Sequence, residues 1–279
     1  MTLARAGANL ANCVCKMRVL DLFAGIGGFT LGLERAGFET VAFCEIEPYA
    51  QKVLRKNWPE VPIYDDVRTI TADRLISDGI RVDVITGGFP CQDISVAGNQ
   101  AGIADGTRSG LWSECARLIG ELRPRYAIFE NVRNLLSGER GAWFKRVLWD
   151  ISALGYDAEW HCIPASELGA HHHRDRVWII CYPKQKVADS LYERLQRGIH
   201  RRQDKERQGE LGHARCGSAA YGQPTENEWD IEPNVGRVAN GVPDRSHRLK
   251  CLGNAVVPPI PELIGRAIME AENDDNCIQ

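Results

Sequence analysis

Residues 18–29, RVLDLFAGIGGF, decide the fold of this chain. Their first half is an apolar run typical of a buried strand, Arg18–Phe23, and a helical pattern follows the glycines as far as about Ala36. A strand that enters a glycine-rich turn and then a helix brings backbone N–H groups and the helix N-terminus against a polar or anionic ligand group. Taken alone, the same turn has a second explanation: its glycines would be needed only because a helix packs closely against it.

The glycine spacing and two later acids narrow the type of ligand. Gly25, Gly27 and Gly28 lie closer together than the glycines of the dinucleotide motif G-x-G-x-x-G. Glu45 ends the second predicted strand, where it is placed to accept hydrogen bonds from ribose hydroxyls, and Asp66 offers a carboxylate to an adenine amino group. The sequence therefore predicts a nucleoside cofactor without a pyrophosphate.

The chain up to residue 182 alternates β-rich runs with helical stretches. Besides the first strand, strands are predicted over 40–45, 82–86, 125–132, 158–164 and 177–182, and helices over about 27–36, 48–57 and 261–270. This alternation predicts an α/β fold with a doubly wound, mostly parallel sheet, helices on both faces and right-handed crossovers. Ligands of such sheets bind at the carboxyl ends of the strands.

Composition excludes several classes of protein. With 279 residues, 44% of them hydrophobic, the chain can bury a large core and is not disordered as a whole. Its ten cysteines are scattered without a C-x-x-C pair, and Cys44, Cys162 and Cys181 lie in apolar runs, so we expect reduced, mostly buried thiols. Without a secretory leader or a run of about eighteen apolar residues, we expect a soluble cytoplasmic protein.

A thiol, a carboxylate and two guanidinium groups converge at one edge of the predicted sheet. Cys91 follows Pro90 in the segment GGFPCQ at 87–92, where the glycines let a ligand approach closely, so it is positioned to attack rather than to pack. Glu130 closes a further apolar run and emerges at the same edge. Alternation puts Arg174 and Arg176 on one face at the start of the last strand.

A second region begins near residue 183, where the alternation gives way to charged, Gly- and Gln-containing sequence. Residues 182–250 hold 13 Lys and Arg against 10 Asp and Glu, whereas the whole chain has a net charge of −3. Such a relative excess of positive charge suits a surface that faces phosphates, and a solvated charged face is the alternative. The same two interpretations apply to the basic stretch 194–207.

In these motifs the chain resembles the cytosine-C5-specific DNA methyltransferases of the bacterial or prophage type. The segments that carry the resemblance occur in the family's order: DLFAGIGGF at 21–29, Glu45, Asp66, GGFPCQDIS at 87–95, ENV at 130–132, RDR at 174–176 and LGNAV at 252–256. The resemblance implies a Rossmann-like domain that binds S-adenosyl-L-methionine, with no metal, and a small target-recognition domain. We expect a flexible extension over 1–16, the catalytic domain over 17–182, the recognition domain over 183–247 and a returning C-terminal segment over 248–279.

The resemblance also assigns the site residues. Contacts with the cofactor are implied for nine positions: Phe23, Gly25, Gly27, Gly28, Glu45, Asp66, Pro90, Leu111 and Asn254. Catalytic roles are implied for Cys91, Glu130, Arg174 and Arg176. The sequence departs from the family at His172, where glutamine is often found, which puts the hydrogen bond of that one side chain in doubt.

The implied reaction adds the Cys91 thiolate to C6 of a flipped-out cytosine, so that C5 accepts a methyl group. Glu130 stabilises the intermediate and binds the exocyclic amine, Arg176 binds the base carbonyl, and Arg174 steadies the charge around the thiolate. Water is the expected base for the C5 proton. Residues 93–109 are predicted to form a lid over the base, with an ordinary surface loop as the alternative.

Double-stranded DNA is the implied partner, bound by a monomer that associates with the nucleoid. A cognate restriction endonuclease would be a functional rather than a physical partner, and protection of phage DNA is the alternative role. Methylation of cytosine in RNA and a non-catalytic DNA-binding regulator remain competing hypotheses. A metal site at His171–His173 is disfavoured because no Cys, Asp or Glu companion stands at zinc spacing. Residues 229–233 and 237–245 are expected to complete the small domain and its junction.

Overall fold

The computed structural model describes residues 16–90, 111–184, 194–201 and 245–277. Several predictions fall wholly or largely outside these ranges: the extension over 1–16, Cys91, the lid over 93–109 and most of the recognition domain over 183–247. Within them the strands are β1 (Arg18–Leu22), β2 (Glu39–Cys44), β3 (Ile63–Tyr64), β4 (Val84–Gly87), β5 (Tyr126–Val132), β6 (Tyr156–Pro164) and β7 (Asp175–Pro183).

The described helices are α1 (Gly28–Arg35), α2 (Pro48–Asn57), α3 (Ala72–Ser77), α4 (Trp112–Leu122), α5 (Ala142–Ala153), α6 (helical over 194–201), α7 (Arg245–Asn254) and α8 (Pro259–Cys277). Helix α2 matches its predicted bounds. The terminal helix is longer than predicted at both ends. It begins at a proline, which the first turn of a helix tolerates because its N–H groups have no intrahelical partner.

The seven strands form one sheet in the order β3-β2-β1-β4-β5-β7-β6. The pairs from β3 to β5 are parallel, whereas β7 is antiparallel to both β5 and β6. The sheet is therefore mostly parallel and doubly wound, as the sequence predicts. Because β7 reverses direction, its first residues lie beside the end of β5, and Arg176 is registered opposite Val132.

Helices cover both faces of the sheet. On one face, α3, α4 and α5 join a buried cluster with inward residues such as Leu22, Ile85 and Phe129. On the other face, α1, α6 and α8 pack against Val19, Ile128 and other strand residues whose side chains point to that face. Strands buried on both faces explain the continuous apolar runs seen in the sequence.

The C-terminal helix α8 is fixed to the start of β5. Glu272, with 6% of its surface exposed, accepts a hydrogen bond of 2.8 Å from the Tyr126 hydroxyl and pairs with Arg125. Close to the start of α8, a side chain at Gly32 of α1 would collide with the Pro258 carbonyl. Helices α1 and α8 therefore approach so closely that only glycine fits between them.

Five cysteines have side chains that the structure describes, and these five are free thiols. Three are buried: Cys44, Cys115 and Cys181. Cys162 is exposed, although it lies in an apolar run, because β6 is the last strand of the sheet. In the described part of the chain, no helix has the length and apolarity that a membrane crossing requires.

Candidate active site

The glycine-rich turn joins β1 to α1 at the carboxyl edge of the sheet. A side chain at Gly27 would lie 2.6 Å from the Trp58 ring, and one at Gly28 would lie 2.5 Å from the Val256 carbonyl. Packing therefore explains these two glycines. Gly25 differs, because no residue that the structure describes lies within 4 Å of a Cβ placed there, so among those residues this position lines open space. The preceding Phe23 holds a left-handed φ of 54°.

Glu45, at the end of β2, is a fixed and buried carboxylate with 8% of its surface exposed. One oxygen accepts a hydrogen bond of 2.7 Å from the Gly25 N–H, and the other accepts one of 2.7 Å from the Glu47 N–H. Gln51 fixes the backbone of the same residue with a bond of 2.6 Å to its carbonyl. The Glu45 carboxylate is thus oriented beside the open space at Gly25.

Asp66 follows β3 and is held by Arg68. Its carboxylate accepts the Arg68 backbone N–H at 3.0 Å and pairs with the guanidinium at 2.7 Å. These bonds, foremost the side-chain bond, hold the pKa of Asp66 below its usual range. The carboxylate is therefore an ionised acceptor with one strong cationic neighbour.

Glu130 ends β5 as a second buried carboxylate, 8% exposed, with the Arg176 Nε 2.8 Å from one of its oxygens. Burial raises the pKa of Glu130, and Arg176 and Arg174 oppose that rise in part. A Cβ at Gly88 would lie 3.3 Å from the other carboxylate oxygen. The chain after β4 therefore passes directly beside Glu130.

Asn131 connects this carboxylate to the segment that leads into Cys91. Its side chain, 2% exposed, donates a hydrogen bond of 3.2 Å to the Phe89 carbonyl and accepts one of 2.8 Å from the Val132 N–H. Pro90 is the next residue and the last one described before the gap, and Cys91 lies outside the described residues. Sequence reasoning did not single out Asn131, although it stands inside the quoted segment ENV.

The three residues of the RDR segment, at the start of β7, contact different parts of the site. Arg176 turns to Glu130, whereas Arg174 donates a hydrogen bond of 2.7 Å to the Gly253 carbonyl in α7. Asp175 lies between Arg133, at 3.1 Å, and His173, at 3.3 Å. Burial and the nearby Arg176 lower the pKa of Arg174, and Glu130 opposes this change. Only the tertiary structure reveals the parts played by Asp175 and Gly253.

The remaining predicted residues lie around the same edge. Leu111, half-buried, is the first residue described after the gap, and Asn254 is exposed at the end of α7. Among the residues described, no cluster of three metal-ligating side chains occurs. His173 instead contacts the Ser166 hydroxyl at 3.2 Å.

The basic stretch 194–207 is described only as far as residue 201, and its first half faces α8. Arg194 lies 2.9 Å from Asp274, and Arg201 lies 3.6 Å from Glu270. On the other side of α6, Leu195 and Ile199 are buried. Arg194 and Arg201 thus pair with acidic residues of α8 and contribute to the contact between the two helices.

Comparison with known proteins decides the family. The model of the C-5 cytosine-specific DNA methylases matches residues 17–235. The chain belongs to this family. The chain is 40% identical over 180 residues to the Type II methyltransferase M2.BsuMI of Bacillus subtilis, an alignment that covers 63% of this chain and 44% of that protein. It is 36% identical over 166 residues to M.HhaI of Haemophilus parahaemolyticus, covering 60% and 49%. The chain thus aligns with less than half the length of these relatives.

Solved structures confirm the fold of this chain. A candidate DNA modification methyltransferase encoded within a prophage (E. coli) is 21% identical, with a TM-score of 0.62 and coverage of 92% of this chain and 100% of the other. A mutant DNMT2 of Spodoptera frugiperda is 19% identical, with a TM-score of 0.53 and coverage of 63% and 52%. The α/β fold predicted from the sequence is therefore confirmed.

Proposed function

We propose that this chain is a DNA (cytosine-5-)-methyltransferase that uses S-adenosyl-L-methionine. Besides the family, one observation carries the proposal: the buried Glu130–Arg176 pair stands beside the segment that Asn131 fixes immediately before Cys91. A buried carboxylate with a raised pKa, beside the chain that leads into a candidate nucleophile, suits protonation of a base ring.

The cofactor end fits a nucleoside. Glu45 is buried, and two backbone N–H groups fix the orientation of its carboxylate. The remaining lone pairs of its oxygens can accept further hydrogen bonds, and Gly25 leaves space beside them. Contacts with the cofactor are proposed for Phe23, Gly25, Glu45, Asp66, Pro90, Leu111 and Asn254, with Gly27 and Gly28 shaping the turn. When bound, S-adenosyl-L-methionine supplies the electrophilic methyl group.

The chain's own residues activate the base. The Cys91 thiolate forms a bond to C6 of cytosine, and the ring electrons move toward N3, where Glu130 supplies or shares a proton. Arg176, which orients Glu130, is also placed to bind the base carbonyl. C5 becomes nucleophilic in this adduct. Once C5 carries the methyl group, loss of its proton to water re-forms the C5–C6 double bond, and Cys91 leaves C6 as a thiolate. A cytosine in a duplex must first be flipped out, at a cost of a few kcal/mol.

Substitution of the nucleophile tests the mechanism. We expect Cys91→Ser to abolish methyl transfer, because a serine hydroxyl is not ionised at neutral pH and is a much weaker nucleophile than a thiolate. Cofactor binding should stay nearly intact. The measurement is transfer of tritium from labelled S-adenosyl-L-methionine to DNA, with calorimetric titration of the cofactor as the control. Retained transfer would remove Cys91 from its role, and absence of an adduct on DNA containing 5-fluorocytosine would do the same.

The substrate is tested with the same label. Duplex DNA, transfer RNA and no nucleic acid are incubated in parallel with the purified protein. Label on DNA supports the proposal, label on RNA favours the RNA methyltransferase, and no label favours the non-catalytic regulator. Because the relatives are named Type II methyltransferases, we extend the proposal to a modification enzyme with a cognate restriction endonuclease as functional partner. Bisulfite sequencing of DNA from expressing cells would identify the target sequence.

A further inference from the structure

Helix α7 touches both halves of the candidate active site while burying almost nothing. Its described side chains from Ser246 to Asn254 are exposed, except for the half-buried Cys251. The two largest apolar ones, Leu249 and Leu252, are 44% and 38% exposed. Because apolar burial contributes little, polar contacts at its ends must fix the position of this helix.

The first two turns of α7 are attached to the cofactor side through Glu47. Lys250 donates a hydrogen bond of 3.0 Å to the Glu47 carboxylate, and His247 lies 3.7 Å from the other oxygen. The His247 ring also stacks on Tyr49, with centroids 5.7 Å apart and planes at 20°. Two side chains of α7, Lys250 and His247, thus tie this helix to Glu47 and Tyr49 at the start of α2.

Glu47 connects α7 to Glu45. Its backbone N–H donates the 2.7 Å hydrogen bond that holds one oxygen of Glu45, while its side chain is held by α7. A shift of Glu47 would therefore move the donor that orients the proposed ribose ligand. Lys250 does not need to touch the cofactor to affect its binding.

The second end of α7 is attached to the base side. Arg174, assigned to the pocket of the cytosine, donates to the Gly253 carbonyl at 2.7 Å, one helical turn beyond Lys250. Arg176 provides a natural comparison, since its described contacts are with Glu130 and the Asp175 carbonyl rather than with α7. The two arginines are neighbours in sequence but attach to different parts of the site.

We propose that α7 is a two-ended strap in which Lys250 and Arg174 act as positioning residues for cofactor binding. Lys250 acts through Glu47 on Glu45, and Arg174 holds the other end of the helix in place. The inference rests on the proposed function, because it concerns the cofactor of that reaction. It implies that a residue of the base pocket controls affinity for the cofactor even when DNA is absent.

The test is calorimetric titration of S-adenosyl-L-homocysteine into the full chain without DNA. Lys250→Met should raise Kd about threefold, as expected for loss of a partly exposed ion pair, and Lys250→Arg should restore the wild-type value. Arg248→Met removes an equal charge from an exposed position of the same helix and should leave Kd unchanged. Equal effects of Lys250→Met and Arg248→Met, or no effect of either, would overturn the proposal.

A double-mutant cycle separates positioning from general destabilisation. Glu47→Gln keeps the backbone N–H but weakens the acceptor for Lys250, so the double variant Lys250→Met/Glu47→Gln should bind no more weakly than the weaker single variant. Additive losses would show that the two side chains act independently, which contradicts the strap. Because the cycle compares affinities within one background, a modest loss of stability does not disguise the result.

The second end is tested by the two arginines. Arg174→Ala should raise the same Kd about threefold, whereas Arg176→Ala should lose methyl transfer yet retain cofactor affinity. Equal cofactor affinities in both variants would overturn the second attachment. If the wild-type chain fails to bind the ligand, the proposed function fails. If it binds and transfers methyl groups while these variants do not differ, the strap alone fails.

Discussion

At the scale of single residues, three buried carboxylates have different tasks because their neighbours differ. Glu45 is held by two backbone donors, Glu130 faces a guanidinium, and Asp21 is enclosed under the glycine-rich turn. Asp21 accepts hydrogen bonds from Thr86 at 2.7 Å and Thr30 at 3.0 Å. Burial raises its pKa to about 6, and the two hydroxyls oppose that rise only in part.

Replacing Glu130 should affect catalysis far more than folding. In Glu130→Gln the side chain keeps its shape but can no longer take or give a proton, so we expect methyl transfer to fall by about 100-fold or more. The measurement is the initial rate of tritium transfer at saturating cofactor. Glu39→Gln, an exposed position at the start of β2, is the matched control. Equal rates in the two variants would exclude Glu130 from proton transfer.

Asp21 should make stability depend on pH. Because its folded pKa of about 6 exceeds the ordinary value, the folded state binds more protons, and the free energy of unfolding falls as pH rises from about 4 to about 6. The shift corresponds to about 3 kcal/mol. Asp21→Asn should therefore remove this fall, as measured by urea unfolding at pH 4.5 and pH 7. The exposed Asp73→Asn serves as control, and an unchanged pH dependence in Asp21→Asn would contradict the prediction.

At the scale of the secondary-structure elements, the reversed strand β7 and the terminal helix α8 determine where the functional groups meet. Antiparallel pairing of β7 with β5 places the RDR segment beside Glu130 rather than at the opposite edge. Helix α8 contributes Ile260, Ile264 and Ile268 to the core on one face of the sheet. Its far end is attached by Glu272 to the first residue of β5.

Removing the carboxylate that anchors α8 should destabilise the fold. Glu272→Ala removes a buried carboxylate that accepts from the Tyr126 hydroxyl and pairs with Arg125, so we expect a loss of about 1–3 kcal/mol in the free energy of unfolding. Glu270→Ala, on the same helix but with a side chain 47% exposed at 3.6 Å from Arg201, should change it by less than about 1 kcal/mol. Urea denaturation of both variants measures the difference. Similar losses would show that burial of Glu272 is unimportant.

At the scale of the whole molecule, the two ends of the chain build one core. Residues of β1 and α1 share a buried cluster with residues 257–268, so the C-terminal segment covers a face of the sheet that the N-terminal part creates. The close approach of α1 and α8 at Gly32 fixes the distance between them. The buried surface on this face of the sheet therefore depends on the last helix.

Forcing α1 and the start of α8 apart should destabilise the whole fold. Gly32→Ala places a methyl group against the Pro258 carbonyl, and since backbone cannot yield as a flexible side chain does, we expect a loss of about 1–3 kcal/mol or more. Gly253→Ala, where a Cβ meets nothing within 4 Å, is the control and should have little effect on stability. Thermal unfolding measures both. A neutral Gly32→Ala would show that α8 can move away freely.

The sequence by itself determined the fold class, the order of the site segments and the bounds of α2, because apolar periodicity and glycine turns act over a few residues. It predicted β1, β2 and β5 to within a residue at each end for the same reason. It did not predict α4 and α5, although both have the alternation of buried and exposed residues that is typical of an amphipathic helix. The family assignment follows from the same ordered segments.

Only the tertiary structure decided which side chains meet. Glu130 finds Arg176, Arg174 finds a carbonyl 79 positions away, and Lys250 finds Glu47 across 203 positions. Such partners depend on the order and direction of strands and on where the last helices return, which no local pattern encodes. Burial likewise arises only when both faces of the sheet are covered, and it is burial that raises the pKa values of Glu130 and Asp21.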